Sequence, residues 1–214
     1  MLLGGDARYT QQFTVHGDGS IEVTNTLQAV AGEAAPELNR WGAQLAEGQH
    51  SNLYRFGNRF TLDASLTEAA WYGRGPGETT IDRNTTALVG RYRSDVEDLF
   101  TLYARPQHNG LRTDVHEVTF TNTEGAGLRF STDSTFHFSA AHHRMEVLDP
   151  GPDKAAVQSH VRLLEQESSV FVNIDGFHSG VGCVNSWGAL PLPEYQLPYG
   201  DYRFHYRIEP VFPK

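Results

Sequence analysis

Four groups of residues in this 214-residue chain carry side chains able to do chemistry. Histidine is abundant, with ten in all, and His137, His142 and His143 lie close enough together to raise the question of a metal. They come without an H-E-x-x-H pair or a nearby cysteine pair, the spacings that gather ligands around zinc. Gly176-Phe177-His178-Ser179-Gly180 resembles a nucleophile elbow. Its serine falls one position late for G-x-S-x-G, and a β-rich chain lacks the strand-turn-helix that exposes such a serine. Asp175, Glu165 and Glu167 are carboxylates of the kind a glycosidase sets on either side of a sugar, but nothing in their spacing makes two of them face each other. The fourth group is Trp187, which ends the stretch "NIDGFHSGVGCVNSW" after glycines at 176, 180 and 182.

Glycine lets backbone turn sharply or approach a neighbour closely, and loops that follow a rigid strand are where binding groups sit. Sugars present flat C–H faces that dock on an indole and hydroxyls that need Asn, Asp, Arg and His. Trp187 therefore reads either as a saccharide platform or as a plug in the end of the fold, since tryptophan is usually mostly buried. Trp71, in Ala69-Ala70-Trp71-Tyr72-Gly73, continues a strand and reads as core. Asn84-Thr85-Thr86 is a formal glycosylation sequon with a high rate of chance occurrence.

Composition bounds what these residues can serve. A chain of this length fits one domain, residues 1–214, and buries about 70% of its unfolded surface. A hydrophobic fraction of 39%, 21 glycines and 10 prolines suit an all-β protein rich in turns. The net charge of −9 argues against nucleic acid as a partner, because phosphate binding needs clustered Lys and Arg. Cys183 is the single cysteine, which leans towards a reducing compartment. No apolar run is long enough for a membrane helix, and the first six residues turn polar too soon for a secretory signal. Membrane association is not expected, and a cytoplasmic location is.

The elements that must position these side chains are strands. Tyr9–Val15 and Ile21–Leu27 alternate around His16-Gly17-Asp18-Gly19-Ser20, a hairpin turn. Further strands are predicted at Tyr54–Leu62, Val115–Thr121, Leu128–Thr132, Val157–Leu164, Val170–Ile174 and Tyr202–Ile208, and their spacing implies two packed antiparallel sheets. In the last, Tyr202, Phe204, Tyr206 and Ile208 share a buried face, with Arg203, His205 and Arg207 opposite. A short helix is predicted within Ala140–Leu148, ended by Asp149-Pro150-Gly151-Pro152. Residues 29–46, rich in Ala, Gly and Glu, read as a long exposed loop.

Four ordered blocks then point to a family. Trp71-Tyr72-Gly73-Arg74-Gly75-Pro76-Gly77-Glu78, then Asp82-Arg83, then Tyr103 to Arg112 (YARPQHNGLR), then Asn173 to Gly182 with Ser186-Trp187, resemble the C-terminal domain of the large β-galactosidases of glycoside hydrolase family 2. The family pattern runs approximately W-x-G-x-G-P-x-E, D-R, Y-x-x-P-x-x-N-G-x-R, and D-G-x-H-x-G-x-G ending in S-W.

The resemblance implies a large antiparallel β-sandwich of the galactose-mutarotase-like (supersandwich) type. It implies that Trp187 stacks on the sugar in an active site completed by other domains. It implies that Glu78, Asp82, Arg83, Asn109 and Arg112 form turns, buried ion pairs and contacts that fix the loop. The family's catalytic glutamates lie on a separate barrel, so no catalytic residue is expected in this chain and the isolated chain is expected to be inactive. The Mg and Na sites of the family lie mainly on other domains, so no metal or cofactor is expected here. The implied partners are a galactoside, the catalytic domains or large subunit, and a further copy of the chain in a homo-oligomer.

This sequence departs from the family in two places. Cys183-Val184-Asn185 stands where glycine and acidic residues are usual. The match also begins partway into the family's terminal domain, whose opening strands have no counterpart before Met1; the chain reads as an expressed fragment, a split or truncated gene product, or a small subunit whose missing strands come from a partner, and open strand edges are expected. Two alternatives remain on the residues: a stand-alone carbohydrate-binding module, and a mutarotase-like enzyme needing a histidine acid and a carboxylate base across a cleft. A single stacking face predicts sugar binding by the isolated chain that is too weak to measure.

Overall fold

A computed structural model describes residues 7–29, 52–105, 108–150, 160–182 and 190–213. Among these, nine strands form one antiparallel hydrogen-bonded sheet. They are β1 (Ala7–Val15), β2 (Ile21–Ala29), β3 (Arg55–Leu62), β4 (Glu68–Gly75), β5 (Leu88–Asp95), β6 (Arg112–Thr121), β7 (Gly127–Ala141), β8 (Val170–His178) and β9 (Tyr202–Val211).

Instead of two separate sheets, the sandwich is a single sheet folded at β7. The first residues of this long strand, Gly127–Ser131, pair with β9, and its last, His137–Ala141, pair with β8. The change of partner sends β1, β2 and β9 into one layer and β3 and β8 into the other. The layers meet through side chains: Phe60 packs on Phe130 at 5.1 Å and edge-on to Tyr206 at 6.4 Å, and Phe56 packs on Tyr202 at 6.0 Å. Phe120, Phe130, Phe136 and Phe138 are wholly buried between the layers. Burying each stabilises the fold by about 1.5–3 kcal/mol.

The expected alternation holds where one face of a strand meets the core. Phe204 and Tyr206 of β9 are buried while Arg203 and His205 are exposed. Trp71 is buried at 2% exposure, with its indole nitrogen donating to Arg74 O at 3.0 Å. Two expectations fail. The strand predicted over Val157–Leu164 is a single 3-10 turn at Val161–Leu163, its first residues lying outside those described. The helix predicted within Ala140–Leu148 shrinks to Met145–Leu148, because Ala140 and Ala141 complete β7 against β8. The loop expected over 29–46 lies outside the described residues except Ala29, which ends β2. Strands β4 and β5 were not anticipated beyond Trp71 itself. Among the described residues no helix is long and apolar enough to cross a membrane.

Candidate functional site

The sequence blocks that lie far apart along the chain converge on one end of the sandwich. Arg112, at the start of β6, is 4% exposed and donates to three carbonyls. Its Nε and Nη2 reach Pro76 O at 3.2 and 2.9 Å, and Nη1 reaches Leu99 O at 3.1 Å and Gly110 O at 2.8 Å. The guanidinium also lies over the Trp71 ring at 5.6 Å. Burial pulls the Arg112 pKa down to about 10, partly offset by Glu78. Arg112 thus serves the expected scaffold through backbone carbonyls. A fork of five N–H donors can gather several carbonyls at once, which an ammonium cannot do in the same plane.

Glu78 closes the next layer. Its Oε2 accepts from the Gly110 amide at 2.6 Å, and its Oε1 accepts from Arg83 Nη2 at 2.7 Å and the Tyr103 hydroxyl at 2.5 Å. The Arg83 side chain is 58% exposed and that of Glu78 only 7%, so the pair joins a buried carboxylate to a surface guanidinium. Asn109 clamps the backbone of Thr101 through both amide atoms, at 2.7 and 2.6 Å.

The stretch leading to Trp187 is fastened to this scaffold. After β8, the Ser179 amide donates to Tyr54 O at 2.8 Å and the Gly180 amide to Tyr195 O at 2.7 Å. The Gly182 amide donates to Asp82 Oδ2 at 2.6 Å, while Thr80 Oγ1 donates to Asp82 Oδ1 at 2.6 Å. Burial raises the Asp82 carboxyl, but the hydrogen bonds from Thr80 and Gly182 outweigh it and hold the group below its usual range. A Cβ on Gly180 would lie 2.7 Å from Asp82 Oδ2 and 2.9 Å from Tyr195 Cβ. Glycine is needed there for close approach. Gly176 has a different duty, since it stays inside β8 beneath the Phe204 ring. Trp187 itself, with Cys183, Val184, Asn185 and Ser186, lies outside the described residues.

The other chemistry-bearing groups do not assemble. His142 Nδ1 bonds Ser169 O at 3.1 Å, His143 packs on Phe100 at 4.7 Å, and His137 sits opposite Asp175 between β7 and β8. Among the described residues no three of His, Cys, Asp and Glu come together to hold a metal ion. Ser179 Oγ bonds backbone carbonyls and not a histidine, so the elbow reading fails on geometry too. Asp175 forms a double contact with Arg55, through Nε at 3.2 Å and through Nη2, while Glu167 pairs with Arg144 at 2.6 Å. His137 and His178 are buried and His108 is half-buried, and burial lowers each pKa, that of His137 to about 4.

Comparison with known proteins agrees with this convergence. The family model described as "Beta galactosidase small chain" matches residues 3–208. A protein named beta-galactosidase from Priestia megaterium (strain DSM 319 / IMG 1521) is 30% identical over 185 residues, which is 86% of this chain and 16% of that protein. Beta-galactosidases of Aeromonas hydrophila subsp. hydrophila and Lactococcus lactis subsp. lactis are 35% and 30% identical over 71% and 72% of this chain, each match covering 14% of the relative. The chain therefore spans 16% or less of the length of these curated relatives. A match that runs through nearly every strand and all the converging blocks assigns the chain plainly: it belongs to the beta-galactosidase small chain family.

Proposed function

We propose that this chain is one sandwich domain of a β-galactosidase, equivalent to the family's terminal domain, and that it lends Trp187 as a sugar-stacking surface to an active site whose catalytic carboxylates lie on other domains. The observation that carries the reading is the double fastening of the strand exit. Asp82 and Tyr195 hold Gly182 and Gly180, five and seven residues before the indole, on a scaffold built from the blocks that define the family resemblance. Such anchoring suits a loop that presents a binding group. Hydrolysis of terminal β-galactosides belongs to the assembled enzyme, because a retaining mechanism needs two carboxylates about 5 Å apart. No metal or cofactor is asked of this chain, and the single cysteine favours a cytoplasmic setting.

Mixing the chain with a β-galactosidase truncated to remove its small-chain region tests this directly. Hydrolysis of a chromogenic galactoside should appear in the mixture and in neither component alone. A mixture without activity would overturn the reading.

A further inference from the structure

One dipeptide in the scaffold is chemically labile. Asn109–Gly110 is the single Asn-Gly pair of the chain. In such a pair the glycine nitrogen can attack the amide carbon of the preceding side chain, because no Cβ stands in its way. The new N–Cγ bond closes a cyclic imide, and the Gly110 amide proton leaves with the Asn109 side-chain nitrogen as ammonia. Water then opens the ring, to aspartate when it adds at one carbonyl and to isoaspartate when it adds at the other.

The fold nevertheless demands both residues. Gly110 has a φ of +70°, and a Cβ there would lie 2.9 Å from Leu99 O, so a side chain at this position is strained. Asn109 is buried and accepts from the Thr101 amide at 2.7 Å through Oδ1 while donating to Thr101 O at 2.6 Å through Nδ2. A carboxamide supplies that acceptor and donor on one planar group, and a carboxylate does not. The same contacts oppose the reaction. Attack turns the Asn109–Gly110 peptide plane, which carries the Gly110 N–H off Glu78 Oε2, its acceptor at 2.6 Å. Departure of ammonia breaks the Nδ2 bond to Thr101. The next carbonyl, Gly110 O, is fixed in turn by Arg112 Nη1 at 2.8 Å. Nucleophile and electrophile are thus held by different segments, Glu78 after β4 and Thr101 after the 3-10 turn Glu97–Leu99, and releasing both exposes buried polar groups at once.

We propose that Asn109–Gly110 is a spontaneous deamidation site gated by the fold, closed while the Thr101 and Glu78 contacts stand and reactive only in chains where this end of the sandwich has opened. Refolding does not reverse the change. In either product an oxygen replaces Nδ2, so a carboxylate faces Thr101 O where a donor stood. The isoaspartyl form also lengthens the main chain by one methylene just ahead of the Gly110 amide, which moves that amide relative to Glu78. Opening of the end that carries Asp82 and the exit towards Trp187 therefore leaves a covalent record and becomes progressively irreversible.

The test is prolonged incubation of the whole chain at mildly alkaline pH, folded and in guanidinium chloride, followed by peptide mapping with mass spectrometry. In denaturant the peptide carrying Asn109 should convert faster than any other asparagine peptide. In the folded chain the same peptide should convert at least about tenfold more slowly than in denaturant, since only the open fraction reacts. Equal rates in the two conditions, faster conversion in the folded chain, or none in denaturant would overturn the inference. Asn109→Asp makes one product directly. It should fail to fold or unfold at a lower denaturant midpoint than the parent, and a midpoint equal to the parent's would remove the irreversibility claimed for the site.

Discussion

The end of the sandwich around Asp82 and the side along β3 are opposite in character. At the Asp82 end the polar groups of Arg112, Glu78, Asn109 and Asp82 find their partners inside the chain. Along β3, one row of backbone groups pairs with no other strand among the described residues, and Phe13 and Val15 at the far end of β1 stay largely exposed. Satisfied polar groups fix geometry, whereas unsatisfied backbone and bare apolar surface invite association. The difference separates an end whose polar groups are satisfied within the chain from a strand edge whose groups are not satisfied by the described residues.

Substitution at Arg112 should break this contrast most severely. Arg112→Met leaves the Pro76, Leu99 and Gly110 carbonyls without their donor in a buried site, at a cost of about 3–5 kcal/mol. Urea unfolding would read this as a lower midpoint with an unchanged slope. A midpoint like that of the parent would mean that water replaces the guanidinium.

Acid should act on the same end. His137, held neutral with a pKa of about 4 against 6.5 unfolded, contributes stability that is whole above pH 6.5. That contribution is lost as the pH falls towards 4, because the unfolded chain takes up the proton first. The loss from this residue is about 3 kcal/mol over the window. His137→Phe should flatten the dependence of stability on pH by about one proton between pH 6 and 5, and an unaltered slope would show that the ring is already charged in the folded chain.

Asp82→Ala is a smaller disturbance, about 1–2 kcal/mol. It should speed hydrogen exchange at the Gly182 amide while leaving the Arg112 region protected. Equal protection of Gly182 before and after would remove Asp82 as the anchor. At the far end of the scale, Phe13→Lys in the isolated chain should change stability by no more than about 0.5 kcal/mol, as expected of an exposed side chain. A large loss would mean that β1 is already covered.

Much of this arrangement was legible in the residues, for identifiable reasons. The β1–β2 hairpin and β9 announce themselves because one face of each strand meets the core and alternation follows. β5 is an edge strand in which no residue is fully buried, so no apolar face marks Leu88–Asp95 in the sequence. β4 is interrupted by Gly73. Val161–Leu163 supplied an apolar cluster that strand and single-turn conformations share. The Asp82 end was recognisable from its ordered blocks, although the choice of carbonyls over carboxylates as partners for Arg112 depends on the path of the backbone. Open strand edges were expected, but nothing in the residues pointed to β3 as one of them. Tyr9 of β1 meets Phe56 and Asn58 of β3 across the two layers, and the one local hint was Asn25 at an inward position between Val23 and Leu27.

The role of Trp187 is tested most directly in the assembled enzyme. With Trp187→Ala, the KM for a β-galactoside should rise about tenfold, the size of a lost stacking face, with complex formation unchanged. A KM equal to that of the parent assembly would contradict a sugar-stacking role and leave this chain as scaffold alone.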